Sequence, residues 1–178
     1  MKRIHLTYLF LLAIIALGTV LRFYRITTVP PSLSHDETAI TYNAYSILKT
    51  GKDEYGQVLP IIFKSFGDYK PGLYVYLTVP SVMLFGLNEF AVRFPSALAG
   101  IFSVWLLFLI VRSLFASHRP LAAAAAFIAA TNPWLIYFSR GAWEVNIALT
   151  LTLTGIYFFL KSLQKPKFLT FSFLLFAL

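Results

Sequence analysis

Residues 71–88 read PGLYVYLTVPSVMLFGLN, an uncharged run whose placement decides the topology of the whole chain. Its length would just permit a bilayer crossing, but Pro80 interrupts it and Gly72 and Gly86 weaken its ends. The stretches around it are plainer. Four have the roughly 17–25 apolar residues needed to cross a ~30 Å hydrocarbon core: residues 4–23, 94–111, 120–139 and, marginally, 145–160. A fifth begins at Phe168 and reaches residue 178 before it is long enough to cross, so the chain reads as the N-terminal part of a longer protein.

Composition leaves no alternative to a lipid solvent. Of 178 residues, 58% are hydrophobic and 12% charged, more apolar surface than one soluble core can hide. The 15 Lys and Arg outnumber the 7 Asp and Glu, and they cluster at Lys2-Arg3, between Arg112 and Arg119, and between Lys161 and Lys167, each at the end of an apolar run. Such clusters are topology signals, and nothing in them resembles a nucleic-acid-binding face. The first apolar run has a basic start, but bulky Leu21-Arg22-Phe23-Tyr24 offers no small-residue cleavage site, so it reads as a retained anchor. Without cysteine there is neither a disulfide nor a thiolate metal site, and His5, His35 and His118 show no ligand spacing.

Charge then places residues 71–88. With Lys2-Arg3 cytoplasmic, the polar loop 25–70 lies outside. A crossing by 71–88 would put the clusters after Arg112 and after Lys161 outside too; without one, both lie inside, as the positive-inside rule prefers. The expectation is a helix over 71–88 in the outer interface, where Tyr74, Tyr76 and Leu77 suit the headgroup region. It also puts Arg140–Glu144 on the outer side, with loop 25–70 and its five acids, Asp36, Glu37, Asp53, Glu54 and Asp68. The Ala122–Ala126 run suits close helix packing in lipid.

Three groups of residues on that side could carry chemistry. Ser34-His35-Asp36-Glu37 fits the S-x-x-E capping box, with Ile40, Ala44, Ile47 and Leu48 following at helical spacing. Glu37 then completes the cap and Asp36 complements the helix dipole; equally, the pair is a carboxylate site at the mouth of a membrane cleft, as general base or metal ligand. In Gly67-Asp68-Tyr69-Lys70-Pro71-Gly72, a turn with a snorkelling Lys70 competes with a site in which Lys70 supplies a point charge to a phosphate beside Asp68. In Ser139-Arg140-Gly141-Ala142-Trp143-Glu144, Arg140 and Glu144 could pair at i and i+4, yet charges abutting a span are functional candidates. Arg93, just before the second span, is an interfacial anchor or a substrate contact. Outer-face carboxylates and cations over an apolar bundle suit a substrate with a lipid tail, a phosphate and a polar group. Any metal here would be a hard, oxygen-bound ion such as Mg or Mn, with Asp36 and Glu144 as candidate ligands.

The order of these motifs resembles the GT-C glycosyltransferases. Leu21-Arg22-Phe23-Tyr24, Asp36-Glu37, Tyr69-Lys70-Pro71, Asn88-Glu89-Phe90-Ala91-Val92-Arg93-Phe94-Pro95-Ser96-Ala97 and Ser139-Arg140 with Glu144 look most like bacterial relatives of the protein O-mannosyltransferases and the lipid A aminoarabinose transferase. The resemblance implies an all-α polytopic bundle with a large first outer loop carrying short juxtamembrane helices. It implies an inverting hexosyl- or pentosyltransferase of a bacterial or archaeal plasma membrane. A polyprenyl-phosphate-linked sugar would be the donor and a protein, lipid or glycan the acceptor. Asp36, with Glu37 beside it, takes the place of the family's loop acid; Glu144 that of its second acidic motif; Lys70, with Tyr69 and Asp68, that of a phosphate contact; Arg93 and Arg140 become further substrate contacts. Two positions depart from the pattern: Gly72 stands where relatives often have a second proline, and Glu144 where many have Asp. A non-catalytic flippase for lipid-linked substrates and a structural membrane subunit are the alternatives.

Overall fold

The computed structural model describes residues 2–177, with side chains from residue 7 onward. It is an all-α membrane bundle with one small hairpin: α1 (Lys2–Phe23), α2 (His35–Thr50), β1 (Ile62–Ser65), β2 (Asp68–Pro71), α3 (Leu73–Phe85), α4 (Glu89–Leu114), α5 (Arg119–Thr131), α6 (Pro133–Arg140), α7 (Glu144–Ser162) and α8 (Phe168–Ala177). Among the described residues α4 and α7 are each long and apolar enough to cross a bilayer, and α5 with α6 meets the same test as a pair bent by 54°. α1, with 22 residues, rises about 33 Å.

α4 is the central helix, packed by α1, α3, α5, α6 and α7. On one side Leu11 and Ile14 of α1 meet Val104 and Phe108 of α4 and Ala122, Ala126, Ala129 and Ala130 of α5. The alanines let the helix backbones approach closely, as lipid-embedded packing requires. On another side polar stitches join α4 to α7: the Ser103 and Thr150 hydroxyls lie 2.9 Å apart, and Asn146 Nδ2 donates to the Ser96 carbonyl at 2.8 Å.

Proline shapes both ends of this arrangement. Pro95 inside α4 has no N–H for the carbonyl of Ala91. The freed carbonyl accepts from Ser81 Oγ at 2.6 Å, and that of Val92 accepts from the Tyr74 hydroxyl at 2.9 Å, both from α3. Residues seven apart in α3 thus reach adjacent carbonyls of α4, so α3 lies across the start of α4. Its 13 residues rise about 20 Å, short of a ~30 Å core.

The continuous helix expected over 120–139 is instead broken at Asn132-Pro133. Asn132 ends α5 and caps α6, its Oδ1 accepting from Leu135 N at 3.1 Å, while Pro133 supplies the first residue of the new helix. The carbonyls of Ala129 and Ala130, orphaned at the end of α5, accept from the guanidinium of Arg22 at 3.2 and 3.1 Å.

The loop between α1 and α3 holds a hairpin that the sequence reading did not anticipate. β1 and β2 pair antiparallel from Ile62↔Pro71 to Ser65↔Asp68. Phe66 and Gly67, with φ of 45° and 89°, form the two-residue turn with both central residues at positive φ that matches strand twist. Phe63 is buried from this hairpin against Tyr76 and the α2–α3–α4 core, which fixes the hairpin to the bundle.

Candidate functional site

The site begins at the start of α2. Ser34 caps the helix reciprocally: Glu37 N donates to Ser34 Oγ at 3.2 Å, and Ser34 N donates to Glu37 Oε2 at 3.0 Å. The capping carboxylate does more than cap. Arg93 grips it from α4 with Nε on Oε1 at 2.8 Å and Nη2 on Oε2 at 3.0 Å, the two-pronged geometry specific to guanidinium and carboxylate. Ala142 N, in the link between α6 and α7, donates to Glu37 Oε1 at 3.1 Å.

Arg93 has every donor committed. Besides Glu37 it serves the carbonyls of Ile26 (2.7 Å), Pro30 (2.9 Å) and Ser32 (2.6 Å), tying down the chain between α1 and α2. Both partners are buried. Burial pushes the Glu37 carboxyl upward, but Arg93 and the N–H groups of Ser34 and Ala142 outweigh it and hold the group below its ordinary 4.5.

Arg140 repeats the pattern. Its Nη1 donates to the carbonyl of Leu21 at 2.8 Å and its Nη2 to those of Tyr24 (2.8 Å) and Val29 (2.7 Å), closing the end of α1. The Arg140–Glu144 pair allowed by their spacing does not form. α6 ends at Arg140, Gly141 is extended, and α7 starts at Glu144, so no helical i, i+4 face joins them. Arg22 thus closes the end of α5 and Arg140 the end of α1. Sequence reasoning quoted Arg22 without giving it a task; a cation inside the end of an apolar helix was the available signal.

Asp36, next to Glu37, points to a different partner. Lys70 Nζ lies 2.9 Å from Asp36 Oδ1; the Lys70 side chain is 13% exposed and that of Asp36 44%. The hairpin delivers Lys70 here, as the third residue of the strand that leaves the turn, and Gly72 ends the ladder. Gly72 N donates to the carbonyl of Ile61 at 2.8 Å, and a Cβ on Gly72 would collide with that carbonyl and the Phe63 ring. A proline there could not make the bond. Asp68 and Tyr69 are exposed, and Asp68 Oδ1 accepts from Tyr69 N at 2.7 Å. Asp53 and Glu54 serve the turn after α2: Asp53 takes the N–H groups of Tyr55 and Gln57, and Glu54 exchanges bonds with Asn43.

Glu144 opens α7, two residues beyond the Ala142 N–H that Glu37 holds. Its Oε1 is buried with no hydrogen-bond partner. Burial raises the Tyr74 hydroxyl above its ordinary value; Ser96 opposes, and the charges of Glu37 and Glu144 add to the rise. Both carboxylates thus act on one tyrosine. The structure brings Asp36, Glu37, Lys70, Arg93 and the α6–α7 link to one end of the bundle, with Asp36–Lys70 as its accessible charged pair.

Among the described residues no group of three or more His, Asp or Glu side chains could hold a metal ion. Asp36 faces an ammonium, and that donor set does not suit a divalent cation. The family model for dolichyl-phosphate-mannose-protein mannosyltransferase matches residues 69–178. No curated protein and no solved structure matches the chain.

Proposed function

The chain belongs to the dolichyl-phosphate-mannose-protein mannosyltransferase family and is a membrane glycosyltransferase of the GT-C type, and on that premise we propose that it transfers a sugar from a polyprenyl-phosphate donor at the outer membrane face, with inversion. The observation that carries this reading is the Asp36–Lys70 pair, a base and a phosphate-binding cation side by side with the carboxylate exposed, against a frame closed by Glu37 and Arg93.

In this reading the donor phosphate approaches Lys70 and competes with Asp36 for its ammonium. The freed Asp36 carboxylate accepts the proton of the acceptor group as its oxygen or nitrogen bonds to the anomeric carbon. The bond from that carbon to the phosphate oxygen breaks, and its electron pair leaves with the phosphate. Lys70 stabilises the charge that develops there. Glu144, with an unsatisfied buried oxygen, accepts a hydroxyl of the bound substrate. Arg93, with every donor engaged by Glu37 and backbone carbonyls, and Arg140, whose Nη groups serve backbone carbonyls, position this apparatus without touching substrate. Glu37 belongs with them as a positioning residue.

The test is transfer of label from a radiolabelled polyprenyl-phosphate sugar in membranes carrying the intact protein. Asp36→Asn is expected to abolish transfer while leaving membrane expression unchanged. Transfer at the unsubstituted rate would remove Asp36 from the chemistry, and a sugar–phosphate bond left intact by the unsubstituted protein would make it a lipid-linked-substrate carrier instead.

A further inference from the structure

At the end of the bundle away from Asp36, the last turns of α4 and α7 line an open cavity of about 420 Å³. Its floor is polar, with Arg112 and Ser113 from α4 and Lys161 and Gln164 from α7 and its exit; Leu109 and Leu160 form the wall that runs toward the membrane interior.

The cations in this cavity lack acid partners. Arg112 Nη1 is buried and has no hydrogen-bond acceptor; the guanidinium lies 5.5 Å from the Tyr8 ring. Lys161 Nζ stands 5.5 Å from the Tyr157 ring. Among the described residues the ion pairs are Lys70–Asp36 and Arg93–Glu37, both at the opposite end. Between residues 90 and 178 the sequence has one acid, Glu144, which opens α7 nearly its whole length away.

Basic residues in a last helical turn complement the carbonyl end of the dipole, which explains why they occur there. It does not supply an acceptor for Arg112 Nη1, and a buried guanidinium N–H without one is costly. An anion in the cavity would supply the countercharge that the chain does not. Two cations and an amide lining one cavity favour a phosphate, and the leucines beside them favour one that carries an acyl chain.

We propose that this cavity binds the phosphate headgroup of an anionic membrane lipid, held by Arg112 and Lys161 with its chain along Leu109 and Leu160. The test is native mass spectrometry of the intact protein released from nanodiscs of mixed phosphatidylglycerol and phosphatidylcholine. The unsubstituted protein is expected to retain phosphatidylglycerol selectively, and millimolar inorganic phosphate to leave that retention unchanged. Arg112→Gln with Lys161→Gln should lower retention about tenfold, whereas Lys165→Gln with Lys167→Gln, whose side chains lie outside the cavity, should not. Equal retention of the two lipids by the unsubstituted protein would overturn the proposal, whether or not the variants fold. So would full retention by the Arg112/Lys161 variant, and displacement by inorganic phosphate would show a site for the free ion.

Discussion

At the scale of single residues, the strongest consequence attaches to Glu37. Glu37→Gln keeps one acceptor oxygen, enough for Ser34 N or Ala142 N but not both, and leaves the Arg93 guanidinium buried without a counter-charge. Removing one partner of a buried ion pair costs about 3–5 kcal/mol, so thermal unfolding in detergent should shift down by that equivalent. The same carboxylate predicts an acid dependence. Its folded value lies below the ordinary 4.5, so its stabilisation is complete above pH 4.5 and is lost as pH falls through the folded value. A Tm series lowered from neutrality should show this loss in the unsubstituted protein and lack it in Glu37→Gln. Lys70 differs in kind, because its partner is accessible and its proposed task lies in the transition state. Lys70→Met should reduce turnover about 10²–10³-fold, as loss of one charge-stabilising donor does, with little change in Tm, and Lys70→Arg should recover part of it. A Tm loss as large as that of Glu37→Gln would make Lys70 a structural residue.

At the scale of elements, the break between α5 and α6 depends on a residue from α1. Arg22→Leu would leave the Ala129 and Ala130 carbonyls without donors in an apolar setting, at roughly 1–3 kcal/mol for each group. Gly100→Ala acts at the same junction, since a Cβ there would overlap the Ser139 side chain and Arg22 Nε; both variants should unfold at lower temperature with the same loss of α5–α6 order by hydrogen exchange. These junctions also mark how far the sequence could be read. The start of α2 was legible because a capping box is local, four residues with a fixed bonding pattern. The apolar helices were legible because lipid imposes their length and composition. The hairpin was not: its strands are four residues each, and Phe66-Gly67 lacks the usual Asn-Gly or Asp-Gly signal. The bend at Asn132-Pro133 was written as a cap followed by proline, but a proline inside a span is often accommodated, and the donor that settles it lies over a hundred residues away in Arg22. The candidate site was legible as a set of charges on one side. Which of those charges are committed to carbonyls was not, because Arg93 and Arg140 find their acceptors only in the tertiary fold.

At the scale of the whole molecule, the acids are confined to one end. Asp36, Glu37, Glu89 and Glu144 lie at or beside helix starts at one end, and the clusters around Arg112–Arg119 and Lys161–Lys167 lie at the other. α4, with 26 residues, separates the two ends by about 39 Å, enough to span a bilayer. The direct bond between Glu37 and Ala142 makes the shared end a matter of contact: the loop after α1 and the link before α7 meet there. The account's central claim is that this end, with Asp36 and Glu144, faces outward while the basic clusters face inward. The chain has no cysteine, so single cysteines can report sidedness without background. Cysteines placed by His35→Cys, Trp143→Cys and Lys165→Cys are to be labelled in intact cells with a membrane-impermeant maleimide. The account predicts labelling of the first two and of Lys165→Cys only after permeabilisation; His35→Cys and Trp143→Cys labelling from opposite sides would contradict it.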